Sequence, residues 1–86
     1  MKRTASHTLH DCYNVIIRAG RSTKALDHAY GYAREGLRMP DALQTEELTA
    51  ESRTQALYVR ANLSSWRGVE ASAVRLALDI ILGNKK

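Results

Sequence analysis

From Val69 to Leu82, ten of fourteen residues are apolar. The polar exceptions Ser72, Arg75 and Asp79 fall on one line at i, i+3 and i+7, with Glu70 near the start. That spacing predicts a helix, and a helix apolar nearly all round has to be covered on several sides. A chain of 86 residues offers few other elements to cover it. Such a chain buries only about 60–65% of the surface its unfolded form exposes, so added burial from a second subunit would matter to its stability. Residues 69–82 are therefore expected to be either the central helix of a bundle or the seam of a homodimer.

The rest of the chain also reads as helices, because Pro occurs once and the apolar spacings are those of amphipathic segments. The first is predicted from Ser6, as N-cap, to Ala19, with Gly20 as its stop and Leu9, Cys12, Tyr13 and Ile16 as its buried stripe. Tyr13 and the run Val15, Ile16, Ile17 are also strand formers, so a short strand over residues 12–17 is the competing reading. The second helix is predicted from Ser22 or Thr23 to Arg38, ahead of Met39-Pro40, with Leu26, Ala29, Tyr30, Ala33 and Leu37 on one side. Gly31 and Gly36 weaken it. After a connection over residues 40–45, the third helix runs from Thr45 or Thr49 to Leu63, with Glu46, Glu47 and Glu51 in its first turns. Leu48, Ala56, Leu57, Val59, Ala61 and Leu63 are its expected buried face, and Arg53 and Arg60, seven apart, share another side. Residues 64–68 form a tight link to the last helix, which Gly83 ends. The expected fold is one all-α domain over residues 1–86, a compact bundle of three to four short helices.

The net charge of +4 is not evenly spread. Residues 1–40 carry seven Lys or Arg against three Asp or Glu, whereas residues 41–86 carry six of each. An acidic partner such as nucleic acid would meet the first half. Cys12 is the lone cysteine, so no internal disulfide can form and a reducing, cytoplasmic setting is expected. His7, His10 and Asp11 interrupt the apolar core that an export signal would need, and the charged residues of 69–82 argue against a membrane span.

The junction of the first two helices, residues 15–29, resembles a helix-turn-helix. Gly20 fits the turn, Ser22 the cap of the second helix, and Val15, Leu26 and Ala29 the packing positions. Ile16 and Arg21 depart from the pattern, standing where a small and an apolar residue are usual. The resemblance implies that Thr23, Lys24, Asp27 and His28 would face base edges while Arg18, Arg21 and Arg34 would hold phosphates.

Other constellations point away from chemistry. His7, His10, Asp11 and Cys12, even with His28, make a poor zinc set, because adjacent residues on a helix point in different directions. No metal or cofactor is expected. The pairs His10–Asp11 and Asp27–His28 diverge by about 100° and cannot act as an acid and its orienting partner. Catalysis is not expected. Trp66 beside Arg67, together with Tyr58 and the Arg53/Arg60 side, has the composition of an interface anchor. The expectation is a non-enzymatic regulatory or adaptor protein that binds a protein partner, with nucleic-acid binding as the alternative.

Overall fold

The computed structural model describes residues 8–20, 23–43 and 47–83. Its elements are α1 (Leu9–Ala19), α2 (Lys24–Gly36), α3 (Ala50–Ala61) and α4 (Val69–Leu82). No strand occurs among the described residues, so residues 12–17 are helical. β-Branched residues tolerate a helix when tertiary burial outweighs their preference, and Val15 and Ile16 are both buried.

The first three helices begin where a threonine can cap them, whereas α4 follows Gly68 with no side-chain cap. Thr8, Thr23 and Thr49 each accept a hydrogen bond from the backbone N–H three residues on. Thr8 replaces the expected Ser6, which lies outside the described residues, as do Arg21, Ser22, Thr45 and Glu46. Thr8 prevails because Asp11 completes a capping box, its carboxylate accepting from the Thr8 N–H. At their far ends α2 and α3 stop earlier than expected. Residues 37–39 and 62–65 are turns. Gly83 ends α4 in the left-handed conformation (φ 76°) that favours glycine.

The four helices form a ring: α1 packs on α2, α2 on α3, α3 on α4, and α4 back on α1. The core is drawn from all four, with Leu9, Tyr13, Ile16, Val59, Leu63, Val74, Leu78 and Leu82 fully buried. Helix α4 is thus one member of the ring, covered by α1 and α3 but not enclosed. Val69 remains 86% exposed and Leu76 38%.

The buried face of α3 differs from the expected one. Ser52, Gln55, Ala56 and Val59 point inward, while Leu57 and Ala61 are exposed. Residues 52, 55, 56 and 59 form the helical stripe, and position 57 lies about 100° from Ala56 around the axis. Gln55 is accommodated because its side-chain amide donates to the Tyr32 carbonyl of α2 at 2.8 Å.

The connection after α2 is tied down rather than free. The Leu9 N–H donates to the Ala42 carbonyl (2.9 Å), and the His10 N–H donates to the Asp41 carboxylate (2.8 Å). The Asp11 N–H meets the Thr8 hydroxyl and the Cys12 N–H the Thr8 carbonyl. The N–H groups of Thr8, Leu9, His10 and Asp11, which the helix cannot satisfy itself, are thus all met by the Asp11 carboxylate, the 41–42 segment and the Thr8 hydroxyl, and the Cys12 N–H makes the first bond of the helix proper.

Candidate functional site

Two faces were expected to carry function, and the fold treats them differently. On α3, the seven-residue spacing does place Arg53 and Arg60 on one side, and that side faces α4. The Arg60 guanidinium grips the Asp79 carboxylate through two bonds, Nε to Oδ1 at 2.8 Å and Nη2 to Oδ2 at 3.3 Å. Arg53 Nη2 donates to the Leu82 carbonyl at 2.8 Å, satisfying a carbonyl in the last turn of α4. From the opposite direction Arg75 of α4 donates to the carbonyls of Leu63 and Trp66, closing the turn after α3. The polar line of α4 is thus turned toward α3, and these arginines bind the two helices together.

Tyr58 is not on the Arg53/Arg60 side, as the sequence had placed it, but lies toward α2. Its ring stacks on that of Tyr32, with centroids 5.3 Å apart and planes tilted by 30°. Both remain open to solvent, Tyr32 by 39% and Tyr58 by 51%. Trp66 is half-buried and packs against the core, while Arg67 beside it is exposed. The five residues expected at one interface are thus divided among the α2/α3 outer edge, the α3–α4 contact and the α3–α4 turn.

The helix-turn-helix positions present a partial set. Val15, Leu26 and Ala29 are buried as that arrangement requires, and Arg18, Lys24, Asp27 and His28 are exposed. Thr23 is also exposed, but its hydroxyl is occupied as the cap of α2. Arg34 is about 15 Å further along α2, with its guanidinium 5.9 Å from the Tyr30 ring centre. Gly31 leaves a shallow depression in this outer face, between Tyr30, Arg34 and Arg38 on one side and His28 and Tyr32 on the other.

Among the described residues, no three His, Cys, Asp or Glu side chains gather into a metal-binding group. His10 Nε2 lies 2.8 Å from the Met39 carbonyl, and His7 is outside the described residues. Burial, helped by the charges of Asp11 and Asp41, pushes the Cys12 thiol up to about 12, so it is protonated and unreactive at neutral pH. No described helix is long and apolar enough to cross a membrane.

Two features escaped the sequence reading. The Tyr32–Tyr58 stack joins residues 26 positions apart, and only the adjacency of α2 and α3 brings them together. The outer stripe of α4, Val69, Ala73, Leu76 and Ile80, was hidden within a segment apolar on every side. No family model, curated protein or solved structure matches the chain.

Proposed function

We propose that this chain is a small, non-enzymatic regulatory or adaptor protein of the cytoplasm, acting through helical protein–protein contacts and associating with itself through residues 69–82. The observation that carries the reading is the stacked, solvent-open pair Tyr32 and Tyr58. Tyrosines supply large contact area at low entropic cost and dominate the anchors of protein interfaces. The single, buried thiol of Cys12 accords with a reducing compartment.

The test is capture of a stoichiometric protein partner by the wild-type chain, compared with a Tyr32→Ser/Tyr58→Ser variant of unchanged helical circular dichroism. Loss of the partner in that variant is the expected result. Recovery of the same partner at wild-type yield would overturn the assignment of this surface.

DNA binding is the second reading, supported by the exposed Arg18, Lys24, Asp27 and His28 around the start of α2. It requires a shift of duplex DNA at low salt that collapses as salt rises. The protein-contact reading expects no such shift.

A further inference from the structure

We propose that the outer face of α2 binds an extended acidic segment of the protein partner, laid across the helix at Gly31. The inference rests on the protein-contact reading and gives that partner a chemistry and a place.

Gly31 is a residue that the fold itself does not require. It lies in the middle of α2 with ordinary helical backbone, since positive φ among the described glycines is confined to Gly20, Gly68 and Gly83. Nothing stands within 4 Å of where its Cβ would be, so no packing inside the chain excludes a side chain. Glycine there weakens the helix relative to alanine and gains no contact in return. Its bare backbone is instead the floor on which two depressions meet, one lined by Tyr30, Arg34, Glu35 and Arg38, the other by Asp27, His28 and Tyr32. Together they make a groove across α2, running from the Tyr32/Tyr58 stack to the two arginines. Glycine serves where the backbone of another molecule must come close. The flanking positions 28 and 34 are about 9 Å apart along the axis, too narrow for a helix of about 10–12 Å but wide enough for an extended chain, which needs about 4.8 Å.

Charge selects the occupant. Residues 1–40 hold the whole net charge of the chain, and Arg34 and Arg38 stand one turn apart at the end of α2. The Arg34 guanidinium lies over the Tyr30 ring, 5.9 Å from its centre. Stacking of this kind uses the guanidinium face and leaves the in-plane N–H donors for a carboxylate. Arg38 meets Glu35 at 3.8 Å, beyond hydrogen-bond length, with the two side chains 77% and 59% exposed. So solvated a contact has little net worth, and an incoming carboxylate displaces it readily. A nucleic-acid strand is the competing polyanion, but it carries a charge on every nucleotide and would meet the Asp27 and Glu35 carboxylates, one in each half of the groove. A peptide with spaced carboxylates avoids that repulsion, and its backbone N–H groups can donate to Glu35. Crossing the helix takes about three or four extended residues. The segment therefore has an aromatic or apolar residue for the tyrosine stack and a carboxylate three or four positions away for the arginines.

Fluorescence anisotropy of a labelled random copolymer of glutamate and tyrosine, titrated with the full chain at low salt, tests the assignment. The copolymer should bind more tightly than polyglutamate or oligo(dT) of matched length. Gly31→Ala should melt at a higher temperature than wild type and yet bind the copolymer at least about fivefold more weakly, because a methyl group would occupy the floor of the groove. Ser72→Ala, at an exposed position of α4, favours a helix away from the groove and should leave binding unchanged. Arg34→Gln combined with Arg38→Gln should weaken binding about tenfold at unchanged helicity. No binding of the copolymer at millimolar protein, tighter binding of oligo(dT), binding insensitive to Gly31→Ala or to the arginine pair, or an equal loss in Ser72→Ala would each overturn the proposal. A captured partner that is lost in the Tyr32→Ser/Tyr58→Ser variant but kept by Gly31→Ala would remove the groove and leave the protein-contact reading standing. Copolymer binding that depends on Gly31, with no partner captured, would remove that reading and leave the groove.

Discussion

The ring of Tyr13 on α1 occupies the space that a side chain at Gly36 on α2 would need. A Cβ at position 36 would lie 2.8 Å from Tyr13 Cζ, and closer still to the ring edge. Tyr13 is 1% exposed and Gly36 is buried, so neither has room to withdraw. The sequence assigns Gly36 only a cost to the helix. The fold gives it the reason for α1 and α2 to approach as closely as they do.

Gly36→Ala should therefore destabilise the protein although alanine is the better helix former. Overpacking costs about 1–3 kcal/mol against about 1 kcal/mol of regained helix propensity. Gly31→Ala is the matched control, since nothing lies within 4 Å of a Cβ there. It should stabilise by up to about 1 kcal/mol, roughly 4–8 °C in Tm for a domain of this size. Thermal melts of the two variants shifting in the same direction would refute the account.

Tyr13 carries a second consequence. Its hydroxyl is buried and, among the described residues, has no hydrogen-bond partner. Burial pushes its pKa up, so the group stays neutral. An unsatisfied buried polar group costs about 1–3 kcal/mol. Tyr13→Phe, which keeps the ring against Gly36, should be neutral or stabilising in urea titrations, and a loss above about 1 kcal/mol would reveal a partner for the hydroxyl.

The Arg60–Asp79 pair should be worth more than a surface ion pair. Its side chains are 29% and 19% exposed, and the guanidinium engages both carboxylate oxygens. A double-mutant cycle with Arg60→Met and Asp79→Asn should give a coupling of about 1–2 kcal/mol, above the 0–1 kcal/mol of exposed pairs. A coupling near zero would demote the α3–α4 contact to its apolar part.

Asp41 should confer acid sensitivity. Partial burial alone would raise its pKa, but the N–H groups of His10 and Ala42, the charge of His10 and the Thr8 hydroxyl outweigh it and hold the carboxyl below its ordinary value. A carboxyl depressed in the folded state stabilises above its unfolded pKa, about 3.9, and that contribution is lost as pH falls through the folded value. Asp41→Asn should be less stable than wild type at pH 7, and the two should converge below about pH 4. A difference independent of pH would show that the carboxylate charge is not involved.

What could be read before folding was local. Thr23, Thr49, Gly20 and Gly83 mark helix ends because capping depends on neighbours three or four residues away. The shared side of Arg53 and Arg60 was equally plain from their spacing. Their destinations were not, because the Leu82 carbonyl and the Asp79 carboxylate belong to a helix whose placement no local spacing determines. Gln55 shows the same limit in reverse. It sits on the core stripe only because the Tyr32 carbonyl of α2 receives its amide, a partner that no spacing along α3 reveals. Tyr58 was assigned to the wrong neighbours for that reason, since which two helices touch is a property of the ring and not of either helix.

The clamp of residues 41 and 42 on the start of α1 has a consequence for where the backbone tolerates interruption. An exposed loop is ordinarily the place where a protease nicks a protein harmlessly. Here a cut at Pro40 or Asp41 would strand the amide donors of Leu9 and His10, and the beginning of the domain would loosen with its middle. Hydrogen exchange at those two amides should accordingly report the opening of a segment some thirty residues away, so that the two stretches behave as one unit of local stability.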